Sequence, residues 1–222
     1  MVYRNGTIRR WRAAIALGLV SLLALAMAPA ALAQDASPAA GVDGIEVSVM
    51  DADGNELGVL TFTPVGDLGM VRITGELTGL EPGEHGFHIH EFGICDPTGD
   101  EPFSSAGGHF NPTGAMHGPG PEGMETMDMA SPMAMGESHA GDLGNITVED
   151  DGTVFITVTT DQVSLEPGAE NSLADADGSA ILVHGGADDF TSQPSGDSGP
   201  RIGCGVIFPG TGATPVAVNA GS

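Results

Sequence analysis

Lysine is absent from all 222 residues, and four of the six arginines, Arg4, Arg9, Arg10 and Arg12, fall in the first 33 positions. Beyond them only Arg72 and Arg201 face 30 acidic residues, a net charge of −28. That field excludes nucleic acid as a partner and disfavours anionic membrane surfaces. Aromatic residues are scarce at 5%. After the first 33 positions no window of a dozen residues carries the apolar period of a helix, which excludes a helical architecture. The apolar run Ala13 to Met27 is shorter than the roughly 20 residues a membrane-spanning helix needs. Two cysteines, Cys95 and Cys204, allow one intramolecular disulfide.

The basic start, the apolar run and Ala31-Leu32-Ala33 before Gln34 read as a secretory signal over residues 1–33. The expected mature protein is exported, to the periplasm, cell envelope or extracellular space, with no membrane association after cleavage. In that setting a Cys95–Cys204 disulfide is the natural pairing. Two free thiols, or thiolate ligands to a metal, are the rival readings. Residues 34–42, rich in Ala, Pro and Ser, read as a flexible linker.

One domain is expected over 43–209, with a tail at 210–222. Apolar and β-branched residues alternate with polar ones at 45–50, 59–63, 70–77, 86–92, 145–148, 153–159, 180–183 and 205–208. Asp53-Gly54 and Asp151-Gly152 read as hairpin turns between such runs. The fold class is all-β: a Greek-key β-barrel or sandwich of about eight antiparallel strands, with long loops over 93–144 and 185–203. Residues 116–136 form a low-complexity insert holding Met116, Met124, Met127, Met129, Met133 and Met135.

Gly86-Phe87-His88-Ile89-His90 places two histidines at i and i+2 of an apolar strand, so both imidazoles leave one face. His109, His117, His139, Asp142 and His184 follow. Together these supply donors for two metal ions and predict a metal-dependent function.

Five blocks, GFHIHEFGIC at 86–95, GHFNP at 108–112, HAGDLGN at 139–145, VHGGADD at 183–189 and RIGCGVI at 201–207, resemble the copper/zinc superoxide dismutases. The resemblance runs over most of 43–208 and is similar in spacing to the bacterial exported branch. It implies a copper ion held by His88, His90, His109 and His184, and a zinc ion held by His109, His117, His139 and Asp142. Both donor sets suit their ions chemically. It further implies that Asp188 links a copper histidine to a zinc histidine, here His88 and His117. Arg201 would draw the anionic substrate in, His109 would carry a proton, and His85 would be structural. The implied reaction converts superoxide to dioxygen and hydrogen peroxide by alternating reduction and reoxidation of copper. Superoxide is then the small-molecule partner, with a homodimer and a copper donor as further candidate partners.

Two departures from the family bear on function. The loop from Gly185 to Pro200 has no basic residue, so long-range attraction of the anion is missing. The interval from His117 to His139 is lengthened by the methionine-rich insert, whose thioethers suit copper(I). A non-enzymatic copper-binding or delivery protein on the same barrel is therefore the alternative reading.

Overall fold

The computed structural model describes residues 44–66, 69–120 and 138–211. The expected signal peptide, the linker, most of the methionine-rich insert and the tail beyond Thr211 lie outside the described residues.

Alternation decides which side chains go inside. In β3 (Met70–Thr78) Val71, Ile73 and Leu77 are buried while Arg72 and Glu76 are exposed. In β6 (Thr153–Thr160) Val154, Ile156 and Val158 are buried while Phe155 is exposed. Burying each such Val, Ile or Leu side chain contributes about 1.5–3 kcal/mol. The other strands are β1 Ile45–Met50, β2 Glu56–Val65, β4 Gly83–His90, β5 Asp142–Val148, β7 Gly178–His184 and β8 Arg201–Pro209. All pairings are antiparallel, in the order β5-β4-β7-β8-β1-β2-β3-β6, and the sheet curls into a nearly closed barrel. The all-β, eight-stranded expectation holds. Among the described residues the only helical element is a 3₁₀ turn, Ser104–Ala106.

The Asp53-Gly54 turn behaves as expected. The Asp51 carboxylate accepts the N–H groups of Asp53 and Asn55, and β1 pairs with β2. The second turn differs. Gly152 N–H donates to the Glu149 carbonyl at 2.9 Å, but no ladder joins β5 to β6 among the described residues. β5 pairs instead with β4, and β6 with β3, so Asp151-Gly152 joins the two edges of the twisted sheet rather than capping a hairpin. The strand expected over 86–92 starts at Gly83 and ends at His90. Glu91 and Phe92 donate instead to Gly108 and Ala106 of the following loop.

Two apolar clusters form. The larger fills the barrel and includes Phe62, Phe87, Ile89, Ile181 and Val183. The smaller, Phe103, Ala106, Ala180, Leu182 and Cys204 with Cys95 against it, lies on the outer face of β7 and β8. β7 is consequently buried along its whole length, covered on both faces. The Cys95–Cys204 disulfide is formed and ties the loop after β4 to β8, so the free-thiol and thiolate-ligand readings do not hold.

Candidate metal centre

Phe87 and Ile89 point into the barrel, so His88 and His90 point outward, across from Leu182 and Ala180 of β7. The site therefore stands on the outer wall of the barrel, under the loops. Irregularities next to His88 in the β4–β5 ladder and next to His184 in the β7–β8 ladder locally turn the backbone at two of the histidines.

A backbone interlock gathers the remaining donors. Ile89 N–H donates to Gly141 O at 2.9 Å, Phe110 N–H to Ile89 O at 2.8 Å, and Gly141 N–H to Phe110 O at 2.9 Å. Residue 89 lies between two histidines, residue 110 follows His109 and residue 141 precedes Asp142, so three bonds bring four donors together. Gly141 is needed there because a Cβ would lie 2.2 Å from the Ile89 carbonyl oxygen.

The ligand atoms of His88, His90, His109 and His184 all lie within 4.8 Å of one another, as do those of His109, His117, His139 and Asp142. All seven residues are buried. Four of the six rings are oriented by an acceptor opposite. His88 Nε2 and His117 Nε2 donate to the two oxygens of Asp188 at 2.8 and 2.9 Å. His90 Nδ1 donates to Gly107 O at 3.0 Å, and His184 Nδ1 to Gly199 O at 3.3 Å. The inward-facing nitrogens are left free. His88 Nδ1, His109 Nε2, His117 Nδ1 and His139 Nδ1 are buried without a hydrogen-bond partner, and His90 Nε2 and His184 Nε2 meet at 3.4 Å. Buried orphan nitrogens in this number are costly unless a cation takes their lone pairs.

The second set converges on one oxygen. Asp142 Oδ1 is 2.7 Å from His109 Nδ1, 3.1 Å from His117 Nδ1 and 3.3 Å from His139 Nδ1. Its Oδ2 accepts the N–H groups of Gly118 and His139. Four nitrogens suit copper(II), and three nitrogens with one carboxylate oxygen suit zinc, so the residues present fit both ions.

Electrostatics prepare the rings. Burial pushes His90 well below the ordinary imidazole value, with His109, His184 and Arg201 adding to the effect. Burial likewise pushes His184 down to about 3. It also takes His109 down to about 4, against the opposing hydrogen bond to Asp142. These rings are neutral at pH 7, so His90 and His184 offer a lone pair without losing a proton, whereas His109 must give up its remaining N–H proton to serve both donor sets. Burial also opposes the charged forms of His117, Asp142 and Asp188, but their mutual hydrogen bonds win. His117 is raised to about 9, and both carboxylates lie well below their usual range.

A cleft of about 710 Å³ opens over His90, His109, His139 and His184. Arg201 is half-buried at its wall, donating to Phe103 O at 2.6 Å and Gly107 O at 2.5 Å, while Glu91, Asp100 and Glu101 also line the cleft. His85 stands apart from both donor sets, between His184 O at 2.7 Å and Glu81 O at 2.8 Å. Sequence reasoning missed the Phe103 and Gly107 carbonyls, Gln193, and the Asn145 side chain that pairs with both backbone groups of Asp188. Only Asn145 carried a signal, as the last residue of the HAGDLGN block.

A β-barrel bearing two adjoining buried nitrogen-rich donor sets on its outer wall defines a dinuclear metalloprotein class. Residues 56–207 match the family described as copper/zinc superoxide dismutase (SODC), and the chain belongs to that family. It is 43% identical over 139 residues to Superoxide dismutase [Cu-Zn] 1 of Aquifex aeolicus, covering 62% of this chain and 72% of that protein. A SOD-like protein from Bacillus subtilis shares 36% identity at a TM-score of 0.62, covering 74% of this chain and 99% of its own. The Cu/Zn superoxide dismutase from Brucella abortus shares 28% identity at a TM-score of 0.57, over 74% and 99% of the two chains. The family uses copper and zinc, and both donor sets described above match that requirement.

Proposed function

We propose that the chain is an exported superoxide dismutase with copper on His88, His90, His109 and His184 and zinc on His109, His117, His139 and Asp142. The observation that carries this reading is ring orientation: the outer nitrogens of His88, His90, His117 and His184 are engaged, so their inner nitrogens converge as ligands. Copper supplies one-electron exchange, so that two superoxide ions and two protons yield dioxygen and hydrogen peroxide. His109 Nε2 is the position at which the chain holds and returns a proton. The Arg201 guanidinium, fixed by two carbonyls at the cleft wall, orients the anion through a charge-assisted hydrogen bond. Asp188 keeps the proton on Nε2 of both His88 and His117, leaving Nδ1 for the ions. The signal-like start and the disulfide support export. A second copy of the chain and a copper donor are the macromolecular partners this reading adds.

The test is dismutation by the copper- and zinc-loaded protein, with His90→Ala and Arg201→Ala beside it and metal content measured on each. Activity that requires His90, and falls with Arg201 while copper stays bound, supports the enzyme. Full copper occupancy without dismutation above free copper would favour a copper-binding or delivery protein that uses the methionine-rich insert.

A further inference from the structure

Gln193, in the segment between β7 and β8, belongs to neither donor set. Its side-chain amide nevertheless makes two hydrogen bonds to one ligand residue: Oε1 accepts the His117 N–H at 2.9 Å, and Nε2 donates to the His117 carbonyl oxygen at 2.9 Å. That pairing imitates a strand partner and fixes both the position and the direction of the His117 backbone. Such a support matters because His117 sits in no regular element, while its ring must reach Asp142 on one edge and Asp188 on the other.

The segment carrying Gln193 is itself closed around Asp188. Phe190 N–H donates to Asp188 Oδ1 at 2.7 Å, Asp189 N–H to Gly196 O at 2.8 Å, and Gly196 N–H to Ser192 O at 2.7 Å. Gly196, at φ 68°, lies so near that a Cβ would fall 1.8 Å from Asp188 Oδ1 and 2.7 Å from His117 Nε2. One tight turn therefore grips His117 twice, by its ring through Asp188 and by its backbone through Gln193.

We propose that Gln193 is a positioning residue for zinc, acting through His117 to preset its Nδ1 before the ion arrives. The proposal rests on the zinc assignment made above. Losing the amide leaves a backbone N–H and C=O without partners beside a ligand. Outer partners of this kind are worth about 10- to 100-fold in metal affinity.

The experiment uses the full chain with Gln193→Ala, Gln193→Met and His117→Ala. Gln193→Met keeps the side chain's bulk and removes both hydrogen bonds. Zinc affinity is read by competition with a chromophoric chelator, the geometry by the visible spectrum of Co²⁺ in place of zinc, and the contact itself by hydrogen exchange at the His117 amide. The expected result is a roughly 10- to 100-fold loss of zinc affinity in both Gln193 variants, with a shifted Co²⁺ spectrum, faster His117 exchange and undiminished copper binding. Wild-type zinc affinity and Co²⁺ spectrum in Gln193→Met would overturn the proposal, as would equal loss of copper and zinc. Zinc affinity unchanged by His117→Ala would overturn the zinc assignment itself, and the role of Gln193 with it.

Discussion

Arg201 and His90 hydrogen-bond to the same oxygen, the Gly107 carbonyl, at 2.5 Å from Nη2 and 3.0 Å from Nδ1 respectively. The orientation of the charged group at the cleft wall is thereby coupled to the orientation of a donor ring. The second guanidinium arm meets Phe103 O, so a planar fork spans two carbonyls in a way one ammonium cannot. Arg201→Ala is expected to lower kcat/KM for superoxide by roughly 10- to 100-fold, the worth of a charge-assisted hydrogen bond. Arg201→Lys should fall between that variant and wild type. Copper content, measured on the same samples, should stay constant in both.

The net charge of −28 carried by residues 34–222 and the acidic residues of the cleft repel an anionic substrate at long range. Added salt screens that repulsion while leaving Arg201 effective at contact. Dismutation should therefore stay flat or rise as ionic strength increases. A rate that falls steadily with salt would refute net repulsion by the chain's field.

Stability of the metal-free protein should peak near pH 6.5 and decline on both sides. His109 and His184, at about 4 and about 3 when folded, bind protons more readily unfolded, so their contribution is full above pH 6.5 and lost as pH falls towards 4. His117, at about 9, contributes fully below pH 6.5 and loses that contribution as pH rises through 9. Urea midpoints across pH 4–9 measure both limbs. Zinc occupies the nitrogen that would otherwise exchange its proton, so the alkaline decline should vanish in the loaded protein.

The Cys95–Cys204 bridge closes a loop of 109 residues, for which chain-entropy arguments give about 4–5 kcal/mol. Cys95→Ser with Cys204→Ser should lower urea-measured stability by that order. Cys204 also packs with Phe103, whose carbonyl holds Arg201. The double variant should accordingly lose activity at temperatures where it is still folded and still holds copper.

Gly196→Ala tests the crowding around Asp188. A methyl group there overlaps Asp188 Oδ1, and the positive φ adds strain, so the carboxylate must move away from His88 and His117. Both ions should bind more weakly, in contrast to the zinc-selective loss expected at Gln193, and competition with chelators selective for each ion distinguishes the two.

β1 emerges over the residues its alternation marks, because Val47 and Val49 are buried in the barrel and Ile45 packs against the same core, while the intervening Glu46 and Ser48 are exposed. β5, β7 and β8 extend beyond their apolar runs, to Asp142, Gly178 and Arg201, because ladder partners rather than side-chain periodicity hold those ends. The Asp151-Gly152 turn was visible, but its flanking strands take partners far away in sequence, and local pattern carries no information about which.

Residue types made the candidate donors legible: His88 and His90 two apart on a strand, and Asp142 among histidines, stand out because a metal donor must be a particular side chain in a particular block. The sequence also determined the charge, the two cysteines that allow one disulfide, and the period-two patterning that excludes helices. The tertiary structure alone decided which nitrogen turns inward in His88, His90, His117 and His184, since that depends on the Asp188 carboxylate and on the Gly107 and Gly199 carbonyls opposite. It alone revealed Gln193 against His117, 76 residues away. A backbone carbonyl is common to every residue, and a hydrogen bond between distant segments leaves no local pattern, so these contacts become visible only when the barrel closes and the loops fold over its outer wall.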